Sequence, residues 1–224
     1  MDSASRGKQC RKKIAIIPVL SLWLYAGGQC EAQTLAVGHF SVEGLNGWQE
    51  KIFKGTTEYS LIKENDTIVV QAISRAAASG LVREFSFDPR SYRYLRWSWK
   101  IDHTLAEGDE TTKGGDDYAA RIYIIFSGKY FWQTRAINYI WANHLKKGEH
   151  IANAYSSRAM MVAVESGPED SGRWLHEKRD IYNDYKMLFG SEPGEASAIA
   201  IMTDTDDTGA RTAAWYGDIT LSTD

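Results

Sequence analysis

The chain has 224 residues, of which 43% are hydrophobic, 12% aromatic and 25% charged, with a formal net charge of −3. That mix is too apolar and aromatic for a disordered chain, and the length suffices for one domain with a sizeable core. No stretch carries the clustered positive charge of a nucleic-acid binder, and the two cysteines, Cys10 and Cys30, cannot build a disulfide framework.

The amino terminus reads as an address. Arg6, Lys8, Arg11, Lys12 and Lys13 form a basic region ahead of the apolar run Ile14–Ala26. That run falls short of the roughly 20 residues that cross a bilayer and suits the core of a secretory signal. Small residues follow in AGGQCEAQT, and a cut after Ala32 leaves Cys30 and Ala32 at the −3 and −1 positions. The expectation is a signal segment over 1–32 and one exported, periplasmic or secreted domain over 33–224, without cysteine and without a membrane span. Lipidation at Cys30 is an alternative, although Gly27-Gly28-Gln29 fits its usual pattern poorly. An uncleaved anchor is another.

From Leu35 onward apolar runs are short and punctuation is frequent. Strands are expected at Thr57–Ile62, Thr67–Ser74, Leu81–Phe87, Tyr92–Asp102, Tyr118–Ser127, Ala136–Asn143, Arg158–Glu165, Ala196–Asp204 and Ala213–Ser222. Glu64-Asn65-Asp66 marks a compact turn between the first two. This spacing predicts an all-β fold, a two-sheet antiparallel β-sandwich of jelly-roll type. Alternation puts Leu95, Trp97, Trp99 and Ile101 on one face of their strand, with Arg96 and Lys100 on the other. It likewise separates Ile122, Ile124 and Phe126 from Arg121 and Tyr123. One helix is expected near 178–189, where Ile181, Tyr185, Leu188 and Phe189 keep helical spacing and Gly190 closes the end. Asp180 at its start suits the helix dipole.

Three features could carry chemistry. Asp204, Asp206 and Thr208 offer oxygens at alternate positions before Gly209, as in the first half of a calcium loop, so a structural Ca²⁺ is one reading. An Asp-rich turn bonded to its own backbone is the other, and position twelve counted from Asp204 is Trp215 where an EF-hand needs Glu. Asp117 and Arg121 share a face with Tyr123, which makes either a carboxylate–guanidinium pair in a ligand groove or a plain salt bridge. Eight Trp and twelve Tyr are a heavy aromatic supply, and aromatic faces stack on sugar rings. Trp132 in an expected loop, with Tyr139 and Trp141 on one strand face, are the candidates, each weighed against a core role. The five histidines are scattered without metal spacing, and no nucleophile elbow or phosphate loop is present. Paired carboxylates stay open as an acid–base device, with Glu84 and Glu165 the strand glutamates able to meet.

Several blocks, YLRWSWKID at 94–102, GGDDYAARIYIIF at 114–126, INYIWAN at 137–143, RDIYNDYKMLFG at 179–190, AIAIMTDTDDT at 198–208 and WYGDI at 215–219, resemble the bacterial family of domain of unknown function 3047. That resemblance implies an exported single-domain protein and supplies no reaction. More loosely, the plan is similar to jelly-roll carbohydrate-binding modules and galactose-binding-like domains, which implies aromatics presented to glycans and a structural Ca²⁺.

The first functional expectation is an exported envelope protein that binds a glycan or small polar ligand through Arg96, Asp117, Arg121, Tyr123, Trp132, Tyr139 and Trp141. The second is a polysaccharide hydrolase or lyase using carboxylates such as Asp117 and Asp184, or Tyr123 beside Arg121. The third is a structural module that meets an envelope protein partner.

Overall fold

Alternating apolar positions generate strands through most of the chain. The structure, a computed structural model, describes residues 33–224. The expected signal segment, with Cys10 and Cys30, lies outside the described residues. In chain order the elements are β1 (Thr34–Gly38), α1 (Phe40–Glu43), β2 (Gln49–Lys54), β3 (Glu58–Glu64), β4 (Thr67–Arg75), β5 (Ala78–Phe87) and β6 (Tyr94–Ile101). Then come β7 (Arg121–Phe126), β8 (Arg135–Ala142), β9 (His150–Ala152), β10 (Ala159–Ser166) and β11 (Leu175–Asp180). The last elements are α2 (Ile181–Phe189), β12 (Ala196–Asp204), β13 (Arg211–Tyr216) and β14 (Ile219–Ser222).

Two seven-stranded sheets result, an all-β sandwich as expected. One runs β1-β14-β6-β13-β4-β3 with β11 also paired to β6, and the other β2-β5-β12-β7-β8-β10-β9. Every pairing is antiparallel except β8 with β10, which is parallel and carries a register shift between Ala163 and Glu165. The turn read at Glu64-Asn65-Asp66 closes the β3–β4 hairpin: Glu64 faces Thr67, while Asn65 and Asp66 take φ of 48° and 65°. Positive φ at both central residues matches the right-handed twist of the flanking strands.

The core between the sheets is an aromatic belt. Trp97, Trp99 and Ile101 of β6 meet Ile137, Tyr139 and Trp141 of β8. Trp97 stacks on Tyr139 at 5.5 Å between ring centroids and stands edge-on to Trp99 at 5.3 Å, while Trp99 lies 5.9 Å from Trp141. Each buried polar handle here has a partner except Trp97 Nε1. Trp141 donates to the Gly167 carbonyl, Tyr139 to Asp184 and Trp99 to Glu177. Together these aromatics contribute most of the belt's apolar burial, and geometry-specific pairs add about 0.5–1.5 kcal/mol each.

Two expectations change. The stretch read as one strand, Ala213–Ser222, breaks at Gly217 and Asp218: β13 leaves to pair with β4 and β14 with β1, while both keep β6 as a shared neighbour. Gly217 is required there, because a Cβ would collide with the Ser98 hydroxyl. The polar run Leu175–Asp180 is a strand rather than the start of the helix, pairing residue for residue with Trp99–Tyr94. The helix itself begins at Ile181. Asp180 accepts from the Asn183 backbone N–H at 3.0 Å as its N-cap, and Gly190 closes it at φ 64°. Its Ile181 and Tyr185 face the core as the spacing predicted.

Candidate functional site

Register fixes what the second sheet shows on its outer face. Across β5, β12, β7, β8 and β10 one line reads Val82, Ala200, Tyr123, Asn138, Met161, and the next Gly80, Met202, Arg121, Ile140, Ala163. Small residues along these lines leave a trough, and Asp204 stands at its end opposite Ala78. A cavity of about 560 Å³ sits there. Its floor holds Tyr123, Asn138 and Met202, its walls rise through Asp116, Asn153 and Tyr155 on one side, and Phe53, Lys54, Asp206 and Asp207 complete it. At one end the outer face is sealed by Tyr118, Ile140, Ala142, Met161 and Ala163, against which Leu145 and Ile151 pack.

Arg121 is 4% exposed and organises the cavity's wall. Its guanidinium forms a two-point ion pair with Asp204, Nε reaching Oδ1 at 2.8 Å, and donates to the Asp116 carbonyl at 3.1 Å. The Asp116 carboxylate is 3.9 Å away, and the Tyr118 ring lies under the guanidinium at 4.4 Å. Burial alone would lower the Arg121 pKa, but Tyr123, Asp116, Tyr118 and Asp117 outweigh it and raise it. Burial pushes the Tyr123 phenol up, with Arg121 pulling the other way, so it stays a neutral hydroxyl. Asp116 also takes both hydrogen bonds of the Asn153 amide at 2.8 Å.

The predicted Asp117–Arg121 pair does not form. Asp117 is fully buried and anchors the 206–208 loop, accepting from Thr208 N at 2.6 Å, Thr208 Oγ1 at 2.7 Å and Asp207 N at 3.3 Å. Arg121 is answered instead by Asp204 and Asp116, from another strand and a loop. This also revises the calcium reading. Asp204 is committed to Arg121, and the Thr208 hydroxyl points its proton at Asp117, so Asp204, Asp206 and Thr208 do not converge. The carboxylates that do converge are those of Asp117, Asp206 and Asp207, with oxygens within 4.8 Å of one another. Lys54 Nζ stands 3.6 Å from Asp206 and donates to its carbonyl at 2.8 Å, supplying positive charge to that cluster. Of these three, Asp117 already accepts from Asp207 N, Thr208 N and Thr208 Oγ1, so its oxygens are committed to the loop.

Other predicted residues are dispersed. Tyr139 and Trp141 belong to the inward parity of β8 and are 0% and 1% exposed, so neither can offer a ring to a ligand. Trp132 lies in a 3-10 turn, half exposed, its ring stacked on Tyr130 at 4.7 Å, beside a separate hollow with Arg135 and Arg158. Arg96 is on the outer face of the first sheet, where it donates to Ser222 Oγ and the Asp224 carbonyl. The polar residues Arg96 and Lys100 thus lie on one sheet, and Arg121 and Tyr123 on the other.

Among the carboxylates proposed for acid–base work, Asp184 is held by Arg179 at 2.7 Å and by the Tyr139 hydroxyl at 2.8 Å. Glu84 faces outward on β5, and Glu165 turns inward to meet Glu177, not Glu84. Burial, and then Glu165 beside it, push Glu177 up to about 7. Lys147 Nζ holds the Glu165 carboxylate. A contact pair of this kind is closer than the roughly 5 Å or more that separates the carboxyls of glycosidases.

Sequence reading missed Asn138, Asp116, Asn153 and Tyr155. The strongest of these is Asn138. It is 1% exposed, its amide nitrogen reaches the Met161 sulfur at 3.2 Å and the Tyr123 hydroxyl, and its Oδ1 has no hydrogen-bond partner among the described residues. Buried polar atoms are nearly always paired, so an orphan acceptor on a cavity floor marks a place for a donor. An asparagine on the outward parity of the otherwise apolar INYIWA run was the available signal.

Several solved structures are similar to this chain. Endoglucanase 3 of Trichoderma harzianum, from glycoside hydrolase family 12, is 8% identical with a TM-score of 0.44, covering 87% of this chain and 98% of that one. A family 29 carbohydrate-binding module is 13% identical with a TM-score of 0.40, covering 85% and 92%. The Endo-D glycoside hydrolase domain of Streptococcus pneumoniae R6 is 10% identical with a TM-score of 0.38, covering 79% of this chain but 22% of that one. No curated protein matches the chain in sequence. The family described as "Protein of unknown function (DUF3047)" matches residues 46–220, most of the chain, and the chain belongs to that family.

Proposed function

We propose that the chain is an exported β-sandwich that binds a glycan or small polar ligand in the trough on the outer face of its second sheet. The observation that carries this reading is the unpartnered Asn138 Oδ1 on the floor of the cavity. Its surroundings suit a hydroxylated ligand. The Tyr123 hydroxyl, bonded to the Met202 sulfur at 3.6 Å and to the Asn138 amide, lies beside it, and Phe53 and Tyr155, 61% and 56% exposed, offer ring faces at the rim. Sugars are recognised by this combination of flat aromatic faces and a few placed polar groups. Arg121 holds the wall rigid and is itself fully answered, so its role is to position. Export rests on the basic and apolar pattern of the first 26 residues.

The test is a thermal-shift and calorimetric screen of the chain from Gln33 against an oligosaccharide panel, since a ligand that binds only the folded state raises its stability. The control is Asn138→Leu. Removing an unpaired buried acceptor leaves stability within about 1 kcal/mol of the parent and abolishes binding. Undiminished binding by Asn138→Leu would falsify the reading.

A further inference from the structure

The trough also specifies the charge of what it takes, on the reading that it is the ligand site. We infer that the ligand carries a protonated amine among its hydroxyls: a glycan containing free amino sugars. The polar atoms left for a ligand are acceptors. Asn138 Oδ1 is buried and has no hydrogen-bond partner among the described residues, whereas the Tyr123 hydroxyl accepts from the Asn138 amide and gives its own proton to the Met202 sulfur. At the rim, the one hydrogen bond donor to the Asp207 carboxylate among the described residues is the neutral Tyr155 hydroxyl, at 2.9 Å.

Charge points the same way. Two cations, Lys54 and Arg121, line the cavity against the four carboxylates of Asp116, Asp204, Asp206 and Asp207. Arg121 is answered by Asp204 and Asp116, and the mostly exposed Lys54 leans on Asp206 at 3.6 Å. The remaining lysines nearby cover the rim rings and do not line the cavity: Lys51 lies over Phe53 at 5.4 Å and Lys113 over Tyr155 at 5.3 Å. Asp207 is therefore left without a positive partner, with the buried Asp117 carboxylate close behind it. A uronate or phosphate entering here would meet carboxylates and a lone-pair floor. A hydroxyl satisfies Asn138, and an ammonium satisfies Asp207 by a charge-assisted bond, the stronger class of hydrogen bond.

The experiment titrates the chain from Gln33, below neutral pH, with three tetrasaccharide probes: fully de-N-acetylated glucosamine, its N-acetylated counterpart, and galacturonate. The glucosamine probe binds at least about tenfold more tightly than the N-acetylated one, and galacturonate binds least. Asp207→Asn brings the first two to parity by weakening binding of the glucosamine probe. Equal or tighter binding of the neutral or acidic probe in the parent overturns the amine assignment while leaving the trough a ligand site. So does neutral binding that requires added Ca²⁺ and disappears with EDTA, which would assign the carboxylates to a bridging metal. If no probe binds, the amine assignment falls; if the full oligosaccharide panel is also silent, the ligand-site reading falls with it.

Discussion

Replacing Arg121 by methionine tests how the wall of the trough is held. The side chain is 4% exposed, and methionine keeps most of its volume while removing the charge. What remains is unequal. Asp116 keeps the Asn153 amide and the Tyr118 hydroxyl at 3.1 Å, whereas Asp204, 1% exposed, keeps only the Tyr118 backbone N–H at 3.3 Å. Breaking a buried pair from one side costs about 3–5 kcal/mol, because the other charge stays buried and unanswered. Most of that cost falls on Asp204. For a domain of this size each kcal/mol moves Tm by about 2–4 °C, so Arg121→Met melts roughly 6–20 °C below the parent. Adding Asp204→Asn removes the stranded charge, and the double variant recovers more than half of the loss. Calorimetry at neutral and acidic pH measures both effects. With its cation gone, burial makes the Asp204 carboxyl easier to protonate in the fold than in the unfolded chain, so the deficit of the single variant shrinks as pH falls. A single-variant cost below about 1 kcal/mol, or a double variant no better than the sum of its parts, refutes the account.

Glu177 gives a second test, with the sign set by its upward displacement from 4.5 to about 7. A carboxyl whose folded pKa is raised lends stability in full below its unfolded value, and loses it as pH climbs through the folded one. The parent therefore weakens between about pH 5 and pH 8, whereas Glu177→Gln, which retains an acceptor for Trp99 Nε1, is flatter and the more stable of the two at the alkaline end. Since Glu177 is only partly buried, water screens the effect to about 1–2 kcal/mol; denaturation midpoints across that window measure it, and parallel curves for the two proteins would rule it out. At the α2 start, Asp180→Ala loses the cap to Asn183 and the ion pair to Arg93 at 2.8 Å. The expected cost is about 1–2 kcal/mol, with Asp180→Asn recovering part of it because an amide oxygen still caps. Equal melting of Ala and Asn variants would show that the cap contributes nothing.

What was legible in the sequence is what alternation dictates. Leu95, Trp97, Trp99 and Ile101 all lie at 3% exposure or less, on the face that the period of two assigned them. The α2 face and the 64–66 turn followed from equally local signals. Strands whose identity is tertiary were not legible: β2 reads QEKIFK and is exposed along its whole length, and β11 reads LHEKRD and is a strand because β6 has an open edge. The site divided along the same line. Arg121 and Tyr123 were found by parity within one strand. Asp204 and Asp116, which answer Arg121, come from 83 and 5 residues away, and nothing local ranks them above Asp117. Tyr139 and Trp141 were misread because aromatic content announces binding and burial equally. Parity with Ile137 decides for burial.

The register shift in β10 makes the interior location of Glu165 a matter of counting. Ala163 faces Ile140 and Glu165 faces Trp141, so Val164 and Glu165 together occupy the space opposite one residue of β8. In an unshifted register Val164 would sit over Trp141, and the glutamate would fall to the next rung, on the outer face beside Ala142. The meeting with Glu177, and the titration that follows from it, thus depends on an insertion as much as on two acidic side chains. A relative that kept both glutamates but paired these strands without the shift would carry the same letters and none of the coupling.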